Sequence, residues 1–560
     1  MTPESRFCPS SIKVWWHGVS YGQFIIDNAA CLTDDALHAR LFDSSACLQT
    51  QMWQAISCCP RGIASCGVAH NAIKRTMTGG GEKMLFNDLR GFLSYLRKTG
   101  RLQEIKAEVD SKWEVGAICR ENYNRMGYGL VFRKIKGFST PLVAGLFGCS
   151  RDVYADVLRC EPSTVAIQRR WQEVYKSPIK PKTVDRSEAP CKEIMIDEEE
   201  VDLHVDPFPV PTWHYRDAGP YLGTLHAVIT QDPETGWTNS GAYRNQILDK
   251  NSLGCLAPGY KHIGVQWAKW RERGEPMPVA IAIGLDPYLV IASTSGIPVQ
   301  LDEYDIAGGI KGAPIETVKA ETSELMVPAR AEIVVEGEMP VDSFWPEEAP
   351  FGEFTGFMGE KRHNSHYIKV KKITHRKNPY FQGTYEGRPP SESNILRSIG
   401  RSNALYEHLL RSGCPGVKDV CVTPGGAAGY HAVVAIKKGF PGHARCVMAL
   451  TWGYSVLFCK HVTVVDDDID VWDSAMVEWA VATRVQAGRD VTIVQGGHGG
   501  VLDPSQVPSR RAWSDWLGID ATNPVDEYRW DGGEMPPYAD SFPTEIIEGV
   551  RRNWDKYFEE

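Results

Sequence analysis

The 560-residue chain has no Cys-x-x-Cys pair, although it contains 15 cysteines. Six of these cysteines lie in the first 66 residues, and the other nine are spaced irregularly over the rest of the chain. This distribution favours a reducing compartment over a disulfide framework. We therefore expect a cytoplasmic protein whose thiols are free.

Long apolar runs are also missing. The densest run, residues 447–458, is interrupted by Thr451 and Gly453 and is too short to span a bilayer. The first residues show no charged-then-apolar pattern of a signal peptide. These absences predict a chain without a membrane span. We also find no internal repeat and no low-complexity tract.

The sequence also lacks an excess of positive charge. The net charge is -9 and the sequence pI is about 6.0, which argues against a nucleic-acid scaffold. An acidic substrate must therefore meet local positive charge on this protein. The remaining composition, 42% hydrophobic and 23% charged residues, is that of a globular protein. The length predicts two or three domains.

Residues 1–83 differ from the rest of the chain, because they have clustered cysteines, weak periodicity and a terminal glycine triplet. A helix start follows, with Asp88 as the N-cap, apolar residues at helical spacing and Gly100 as the stop signal. We expect the core fold to begin near Met84. The leader is then disordered, a private extension or the product of a start codon assigned too early.

Beyond residue 196 the pattern changes twice. Residues 196–385 contain many short runs of strand-forming residues between Gly and Pro turns, such as 279–284, 331–337 and 367–374, which predicts a barrel or sandwich. From residue 386 onward, apolar strands alternate with helical segments. This alternation predicts an α/β layer with a parallel sheet.

The hexapeptide EAPFGE, residues 348–353, contains the most informative chemistry. Glu348 and Glu353 flank Pro350 and Gly352, which favour a tight turn over a helix. Two carboxylates in one cavity have separated pKa values, which suits proton transfer, and an arginine such as Arg244 would orient a substrate carboxylate. The alternative is a surface turn with two solvated acids.

A second candidate site lies in the segment NSGAYR, residues 239–244. Its small residues allow a close approach by a bulky ligand, and Asn239 offers an oxygen to a hard cation. His262 and Glu303 would complete a Mn²⁺ or Mg²⁺ site. Each of these residues taken singly is also typical of a structural or solvated position.

Two further motifs predict structure more strongly than chemistry. The segment GGHGG at 496–500 lacks the Walker lysine and the dinucleotide spacing, so we interpret it as a mobile loop. The acidic run DDDID at 466–470 follows an apolar strand and could bind Mg²⁺. We interpret it as an acidic turn that caps a helix.

The ordered series of segments resembles the UbiD-type decarboxylases, which use prenylated FMN, over about residues 84–560. The segments that carry this resemblance are NSGAYRNQILDK at 239–250, IGLDP at 283–287, EYDIAG at 303–308, EAPFGE at 348–353, FPGHA at 440–444, VVDDDID at 464–470 and GIDATN at 518–523. The order and separation of these segments, more than any one of them, make the resemblance specific.

The resemblance implies a multidomain α/β (α+β) fold. In that fold, residues 84–195 form an N-terminal α/β domain and residues 196–385 form a split β-barrel that binds the flavin. Residues 386–560 form a C-terminal α/β domain used in oligomerisation, and residues 1–83 are an extension outside the core.

The resemblance also implies a set of ligand contacts. Asn239, His262 and Glu303 would bind Mn²⁺ or Mg²⁺ and bridge it to the cofactor phosphate. A monovalent site, usually for K⁺, would fall near Ala292, Ser293 and Ser295, again with Glu303. The residues implied to line or hold the prenylated FMN are Asn239, Ser240, Gly241, Ala242, Tyr243, Arg244, Lys261, His262, Glu303 and Lys438.

The implied catalytic residues are Arg244, Glu348 and Glu353. Arg244 would orient the substrate carboxylate, Glu353 would protonate the carbon that lost CO₂, and Glu348 would hold Arg244 in place. Lys261 departs from some relatives, which act on acrylic acids and have glutamine before the metal histidine. Lys261 would favour a polar or doubly acidic substrate, or would form a salt bridge with a nearby acid.

We therefore predict a carboxy-lyase that reversibly decarboxylates an aromatic, heteroaromatic or α,β-unsaturated acid without oxidation. A flavin prenyltransferase would supply the cofactor, and the protein would be a homodimer or homohexamer. The alternatives are an FMN-dependent oxidoreductase on the same barrel and a catalytically silent assembly subunit. The spectrum and mass of the bound flavin would separate the two enzyme classes.

Overall fold

The computed structural model describes residues 86–298, 301–348, 350–454, 458–524 and 538–558, with the side chains of residues 348 and 362–364 left out. The expectation for residues 1–83 therefore falls outside the described part of the chain. Within that part, no helix has the length and apolar character needed to cross a membrane. The nine cysteines in these ranges are all free.

The N-terminal region begins with the helix that the sequence predicts. The Asp88 side chain accepts a hydrogen bond from Gly91 N at 2.8 Å, which caps the first turn. Phe92 and Leu96 are among the apolar residues that this helix buries, and Gly100 follows its end with φ +71°. The elements of this region are α1 Leu89–Lys98, β1 Leu102–Val109, α2 Glu114–Asn124, β2 Gly129–Ile135, β3 Leu142–Ala144, α3 Asp152–Leu158 and α4 Thr164–Lys176.

In the described residues, the central region contains most of the strands and three α-helices. Its elements are β4 Lys182–Thr183, β5 Ile194–Asp197, β6 Tyr221–Gly223, β7 Ala227–Gln231, β8 Thr238–Gly241, β9 Asn245–Asp249, β10 Ser252–Cys255, α5 His262–Glu272, β11 Met277–Ile283, α6 Pro287–Thr294, α7 Glu303–Lys311, β12 Glu316–Lys319, β13 Met326–Pro328, β14 Ile333–Met339, β15 Trp345–Glu348, β16 Arg362–His375 and β17 Phe381–Gln382. β17 leaves this region and pairs in parallel with β3, so it extends the N-terminal sheet, whose order is β1-β2-β3-β17.

Ten strands of the central region form one sheet with the path β6-β9-β10-β16-β14-β11-β7-β8, and β5 and β15 join it through β16. Every pairing in this sheet is antiparallel. The sheet curls into a half-barrel, as the short strands between turn residues predict. One face packs against α1, α3, α4, α6 and α7 in a shared apolar core.

The C-terminal region alternates helices and strands, as predicted. Its elements are α8 Glu392–Arg411, β18 Val417–Val422, β19 His431–Ile436, α9 His443–Gly453, β20 His461–Asp466, α10 Ser474–Arg484, α11 Ala487–Asp490, β21 Val491–His498, β22 Trp513–Ala521 and α12 Thr544–Arg552. The sheet order is β18-β19-β20-β22-β21. The three central strands are parallel, but both edge strands are antiparallel, so the prediction of a parallel sheet holds only for its centre.

The structure corrects our interpretation of two motifs in this region. Gly496 to His498 lie in β21 and do not form a loop, because β21 pairs with β22 as far as His498 and Trp513. Gly499 and Gly500 follow the end of this strand, so the loop interpretation is wrong only for the first three residues of the motif. The acidic run 466–470 does not cap α10. Asp473 caps that helix, while Asp466 and Asp468 form ion pairs with the buried Arg484.

Candidate active site

Asn239 lies on β8 in a hydrogen-bonded cluster with the neighbouring strand and helix. It is 1% exposed, and its Nδ2 donates to Thr230 Oγ1 at 3.1 Å. Thr230 Oγ1 in turn donates to Gln266 Oε1 at 2.6 Å. The amide nitrogen of Asn239 is therefore occupied by a hydrogen bond. The amide oxygen Oδ1 accepts a hydrogen bond from Tyr243 Oη at 3.3 Å and is the atom that can bind a cation.

Glu303 begins α7 beside the same strand. Its Oε2 accepts a hydrogen bond from Ser240 N at 2.9 Å, and the residue is 4% exposed. Burial raises the pKa of Glu303 to about 8. Within the ranges described above, Glu303 forms no ion pair. A bound cation would supply the missing positive charge and keep this carboxylate ionised.

His262 is the first residue of α5 and is half-buried. Burial, followed by the charge of Lys261, lowers the pKa of His262, so the ring is held in the neutral form that binds metals. Trp237 contacts the His262 ring edge to face at 4.9 Å and donates from Nε1 to Leu301 O at 3.0 Å. Trp237 thus connects α5 with the segment that leads into α7.

These residues fit a divalent cation by their chemistry. An amide oxygen, a neutral imidazole and a buried carboxylate are ligands that Mn²⁺ and Mg²⁺ accept. In the described ranges, no group of three or more His, Cys, Asp or Glu side chains forms a metal site. The predicted set contains only His262 and Glu303 of those residue types, with Asn239 as its third member.

The residues predicted for a monovalent cation lie at the C-terminal end of α6. Ser293 O accepts from Ala242 N at 3.3 Å, and the Ser293 and Ser240 hydroxyls are 3.4 Å apart. Ala292 O accepts from Ser295 N at 3.3 Å. A helix C-terminus favours positive charge, so the position suits a cation. The structure therefore brings Ser293 to the Ser240–Glu303 contact.

Arg244 and Glu353 form an ion pair, although they are 109 residues apart. Both side chains are 8% exposed. The Arg244 guanidinium carbon also lies over the ring of Phe351, 5.6 Å from its centroid. The structure thus joins the arginine of the segment 239–244 to one acid of the EAPFGE motif. It excludes the alternative that Glu353 is a solvated acid of a surface turn.

The backbone around Glu353 is held by Asp217. Asp217 Oδ1 accepts from Gly352 N at 2.8 Å, and Oδ2 accepts from His214 N at 2.9 Å and lies 2.9 Å from His214 Nδ1. His214 Nε2 is 2.7 Å from Glu386 O. A Cβ at position 352 would collide with the His214 ring, so only glycine fits this close approach.

His226 holds the backbone that precedes Arg244. Its Nε2 lies 2.8 Å from Tyr243 O. Burial lowers the pKa of His226 to about 4, so the ring is neutral and Nε2 carries the donor proton. This contact fixes the Tyr243 carbonyl and therefore the direction of Arg244, which lies in the connection between β8 and β9.

Lys261 has positive neighbours. Burial, followed by the charges of Arg401 and Arg397, lowers its pKa to about 8. Lys261 forms no ion pair with any residue that the structure describes. The alternative that Lys261 neutralises a nearby acid is therefore not supported, because its charged neighbours are arginines.

Two predicted residues lie outside this cluster of contacts. The Glu348 side chain falls outside the described part, and its backbone ends β15 opposite Arg362. Lys438 follows β19, and its Nζ donates to Asn523 O at 3.4 Å, in the C-terminal region. The position of Glu348 relative to Arg244 and the contact of Lys438 with a phosphate both remain predictions.

Our sequence interpretation missed Asp217, His226, Arg397 and Arg401. Asp217 and His226 act through backbone groups, so no local motif marks them. Arg397 and Arg401 are four residues apart in a helical segment, which places them on one face, and this signal was available in the sequence.

Three family models cover most of the chain. The models match the 3-octaprenyl-4-hydroxybenzoate carboxy-lyase N-terminal domain at residues 93–170, its Rift-related domain at 182–389 and its C-terminal domain at 396–521. The chain therefore belongs to the UbiD family of carboxy-lyases.

Several solved structures are similar to this chain over nearly their whole length. The UbiD-class enzyme HmfF from Pelotomaculum thermopropionicum, in complex with FMN, is 34% identical with a TM-score of 0.73, and the match covers 80% of this chain and 97% of HmfF. The closed form of vanillic acid decarboxylase from Sedimentibacter hydroxybenzoicus is 31% identical with a TM-score of 0.73 and coverages of 84% and 99%. The apo 3,4-dihydroxybenzoic acid decarboxylase from Enterobacter cloacae is 26% identical with a TM-score of 0.71 and coverages of 83% and 100%.

Proposed function

We propose that this protein reversibly decarboxylates an aromatic, heteroaromatic or α,β-unsaturated carboxylic acid, with prenylated FMN as its cofactor. The observation that carries the proposal is the buried Arg244–Glu353 ion pair, in which an arginine that can bind a carboxylate touches an acid that can donate a proton. A second UbiD-class HmfF structure, 32% identical with a TM-score of 0.70, contains prenylated FMN and supports the choice of cofactor.

Gly241 to Arg244 would line the flavin. Gly241 is half-buried and Ala242 is exposed, whereas Ser240 before them is buried. A backbone edge with small side chains is thereby open to a flat ligand. When bound, the prenylated FMN would accept the electrons that the substrate releases as CO₂ leaves. Asn239, His262 and Glu303 would hold Mn²⁺ or Mg²⁺ near its phosphate, Lys438 would contact the phosphate, and Ala292, Ser293 and Ser295 would hold K⁺.

Arg244 would orient the substrate carboxylate. A guanidinium has five N–H donors, so Arg244 can bind a carboxylate while it remains near Glu353. Competition for the guanidinium weakens its hold on Glu353, which then takes up a proton from solvent and delivers it to the carbon that lost CO₂. Glu348 would pair with Arg244 and preserve its orientation during this exchange.

Glu353→Gln tests this assignment. The variant keeps the size of the side chain and a polar contact to Arg244, but its amide has no acidic proton to deliver. We expect CO₂ release and H/D exchange on a competent acid to fall by at least about 100-fold, the usual contribution of a general acid. The measurement uses holoenzyme made with a flavin prenyltransferase and a panel of aromatic and acrylic acids in D₂O.

Glu360→Gln is the matched control, because Glu360 lies in the same loop but is exposed and pairs with Arg511. Undiminished exchange in Glu353→Gln would remove Glu353 from the mechanism. The absorbance spectrum and mass of the bound flavin distinguish the decarboxylase from an oxidoreductase with unmodified FMN.

We also propose that the chain forms a homodimer or homohexamer. Helix α12, Thr544–Arg552, buries none of its residues against the described chain, and Ile546, Trp554 and Phe558 on and after it are at least half exposed. Such an apolar surface is typical of an interface. Light scattering after size-exclusion chromatography measures the oligomer directly, and a monomer at micromolar concentration would contradict the proposal.

A further inference from the structure

The turn at Trp113, which leads into α2, has a strained backbone. Trp113 has φ +71° and ψ −35°, and Glu114 N donates a hydrogen bond to Lys112 O at 2.9 Å. These values describe a γ-turn with positive φ, which is a rare and strained turn. A residue as bulky as tryptophan seldom adopts a positive φ. Strain of this kind persists where the surrounding structure enforces it, and it is concentrated at functional sites.

Hydrogen bonds on both sides of Trp113 enforce this turn. Lys112 N donates to Asp110 Oδ1 at 2.9 Å, and Asp110 N donates to Glu114 Oε2 at 2.8 Å. Val115 N donates to Asp110 O at 3.3 Å. Burial of the indole does not explain the strain, since Trp113 is 37% exposed. The turn therefore fixes the direction of a partly exposed aromatic ring.

The turn is attached to residues 212–217, which we call the 212–217 loop. Trp113 N donates to Thr212 O at 2.9 Å, and Lys112 and Thr212 form an isolated parallel β-bridge. The Trp113 ring lies 4.9 Å from the ring of Tyr215, which is 77% exposed. Both the backbone and the indole of Trp113 thus hold this loop.

The first turn of α2 also packs on the backbone of the 212–217 loop. A Cβ on Gly116 would collide with the carbonyl oxygen of Trp213, so only glycine allows this close approach. Val115 of α2, Trp213 of the loop and Phe351 belong to one buried apolar core. The start of α2 and the residues just before Glu353 therefore share a packed core with the loop.

The 212–217 loop in turn holds the backbone beside the proposed proton donor. Asp217 Oδ1 accepts from Gly352 N at 2.8 Å, and the His214 ring contacts the Phe351 ring edge to face at 5.5 Å. A shift of the loop would consequently move Gly352 and, with it, Glu353.

We propose that Trp113 is a positioning residue for the proton donor, because its strained turn fixes the 212–217 loop and, through Asp217, the backbone beside Glu353. This inference rests on the proposed function, in which Glu353 delivers the proton. It assigns a role in the reaction to the start of α2, in the N-terminal region of the chain.

Trp113→Ala removes the indole and leaves the positive φ. In the holoenzyme we expect faster amide hydrogen exchange over residues 212–217 and 350–360, because the loop loses one of its attachments. We also expect kcat/KM on a competent acid in D₂O to fall about tenfold, since the acid is no longer held in its productive position. Trp113→Phe keeps an aromatic ring against Tyr215 and should recover most of both losses.

Trp479→Ala is the matched control. Trp479 is 43% exposed, its ring lies 5.7 Å from that of Tyr538, and the Arg484 guanidinium lies over it at 5.2 Å. Lys112 Nζ likewise lies over the Trp113 ring at 4.7 Å. Each alanine variant therefore loses an exposed indole, an aromatic contact and a cation–π contact. Trp479→Ala should leave kcat/KM and the amide exchange over 350–360 unchanged.

Trp113→Gly separates the strain from the ring, because glycine adopts a positive φ without a steric clash. Its Tm should exceed that of Trp113→Ala, while its kcat/KM should be at least as low. A residue that served only stability would show the opposite, with activity following Tm. A glycine variant no more stable than the alanine variant would overturn the role of the strained turn.

A double variant, Trp113→Ala with Asp217→Asn, tests the route. If Trp113 acts through the 212–217 loop, the double variant should lose about tenfold in kcat/KM, no more than Asp217→Asn alone. Independent contributions would multiply to about 100-fold and would overturn the route through Asp217.

Unchanged amide exchange over 350–360 in Trp113→Ala would overturn the positioning role itself. This measurement needs no substrate, so it decides the inference even for a holoenzyme that exchanges none of the tested acids. That second result would overturn the proposed function and leave the link between Trp113 and the loop standing.

Discussion

At the scale of single residues, the candidate site depends on side chains that fix the direction of others. Arg244 reaches Glu353 because the backbone before it is held by the His226–Tyr243 contact. His226 is 2% exposed, and its ring fills the space next to Gly223, where a Cβ would collide with it. A small shift of Arg244 would slow the reaction, since a misplacement of about 1 Å near reacting atoms can lower the rate about 100-fold.

We expect His226→Leu to lower kcat/KM at least about tenfold, because the Tyr243 carbonyl loses its donor and Arg244 loses its fixed direction. KM for the acid should rise and kcat should fall, since Arg244 acts in binding and in the reaction. His226→Gln offers a donor of similar reach and should recover part of the loss. If the Leu and Gln variants are equally impaired at equal thermal stability, His226 contributes only packing.

At the scale of secondary-structure elements, the candidate site depends on hydrogen bonds that hold the loop containing Glu353. The loop that contains Glu353 closes on itself, since Glu353 N donates to Phe357 O at 2.9 Å and Gly359 N donates to Phe351 O at 2.7 Å. Asp217 then ties this loop to the segment before β6 through Gly352 and His214. The buried carboxylate of Asp217 therefore holds the backbone next to Glu353, the proposed proton donor.

Asp217→Asn should loosen this loop, because an amide NH₂ replaces one of the two oxygens that accept hydrogen bonds from Gly352 and His214. We expect faster amide hydrogen exchange over residues 350–360 and a roughly tenfold lower kcat/KM. Asp249→Asn is the matched control, because the exposed Asp249 also accepts from a backbone N–H, that of Asn251. Unchanged exchange over 350–360 would show that Asp217 does not hold the loop.

At the scale of the whole molecule, half-buried histidines link stability to pH. Burial, followed by the charge of the cross-strand neighbour His461, lowers the pKa of His431 to about 4. The unfolded chain therefore binds one more proton than the folded chain between pH about 6.5 and about 4. The neutral His431 contributes stability that is fully present above pH about 6.5 and is lost as the pH falls towards 4.

His431→Asn should consequently destabilise the protein more at pH 7.5 than at pH 5. The difference in unfolding free energy between wild type and variant should shrink by up to about 1.4 kcal/mol per pH unit below pH 6.5. Thermal unfolding of both proteins across this range provides the measurement, with the exposed His204 replaced by Asn as the control for loss of a histidine. A difference that stays constant with pH would contradict the assignment of a neutral His431 ring in the folded protein.

The sequence by itself determined the elements whose signals are local. The cap at Asp88, the apolar spacing of α1 and the turn residues between short strands predict structure because they act over a few residues. The order of the family segments predicted the UbiD family and its carboxy-lyase chemistry.

Only the tertiary structure decided which of the candidate residues meet. The contact of Arg244 with Glu353 and the attachment of Glu353 through Asp217 join residues far apart in the chain. Likewise, the pairing of β21 with β22 placed the first three residues of the glycine motif at 496–500 in a strand, against their local tendency to form a loop. The reason is physical, since such contacts arise from strand pairing and packing between distant segments, which no local residue pattern specifies.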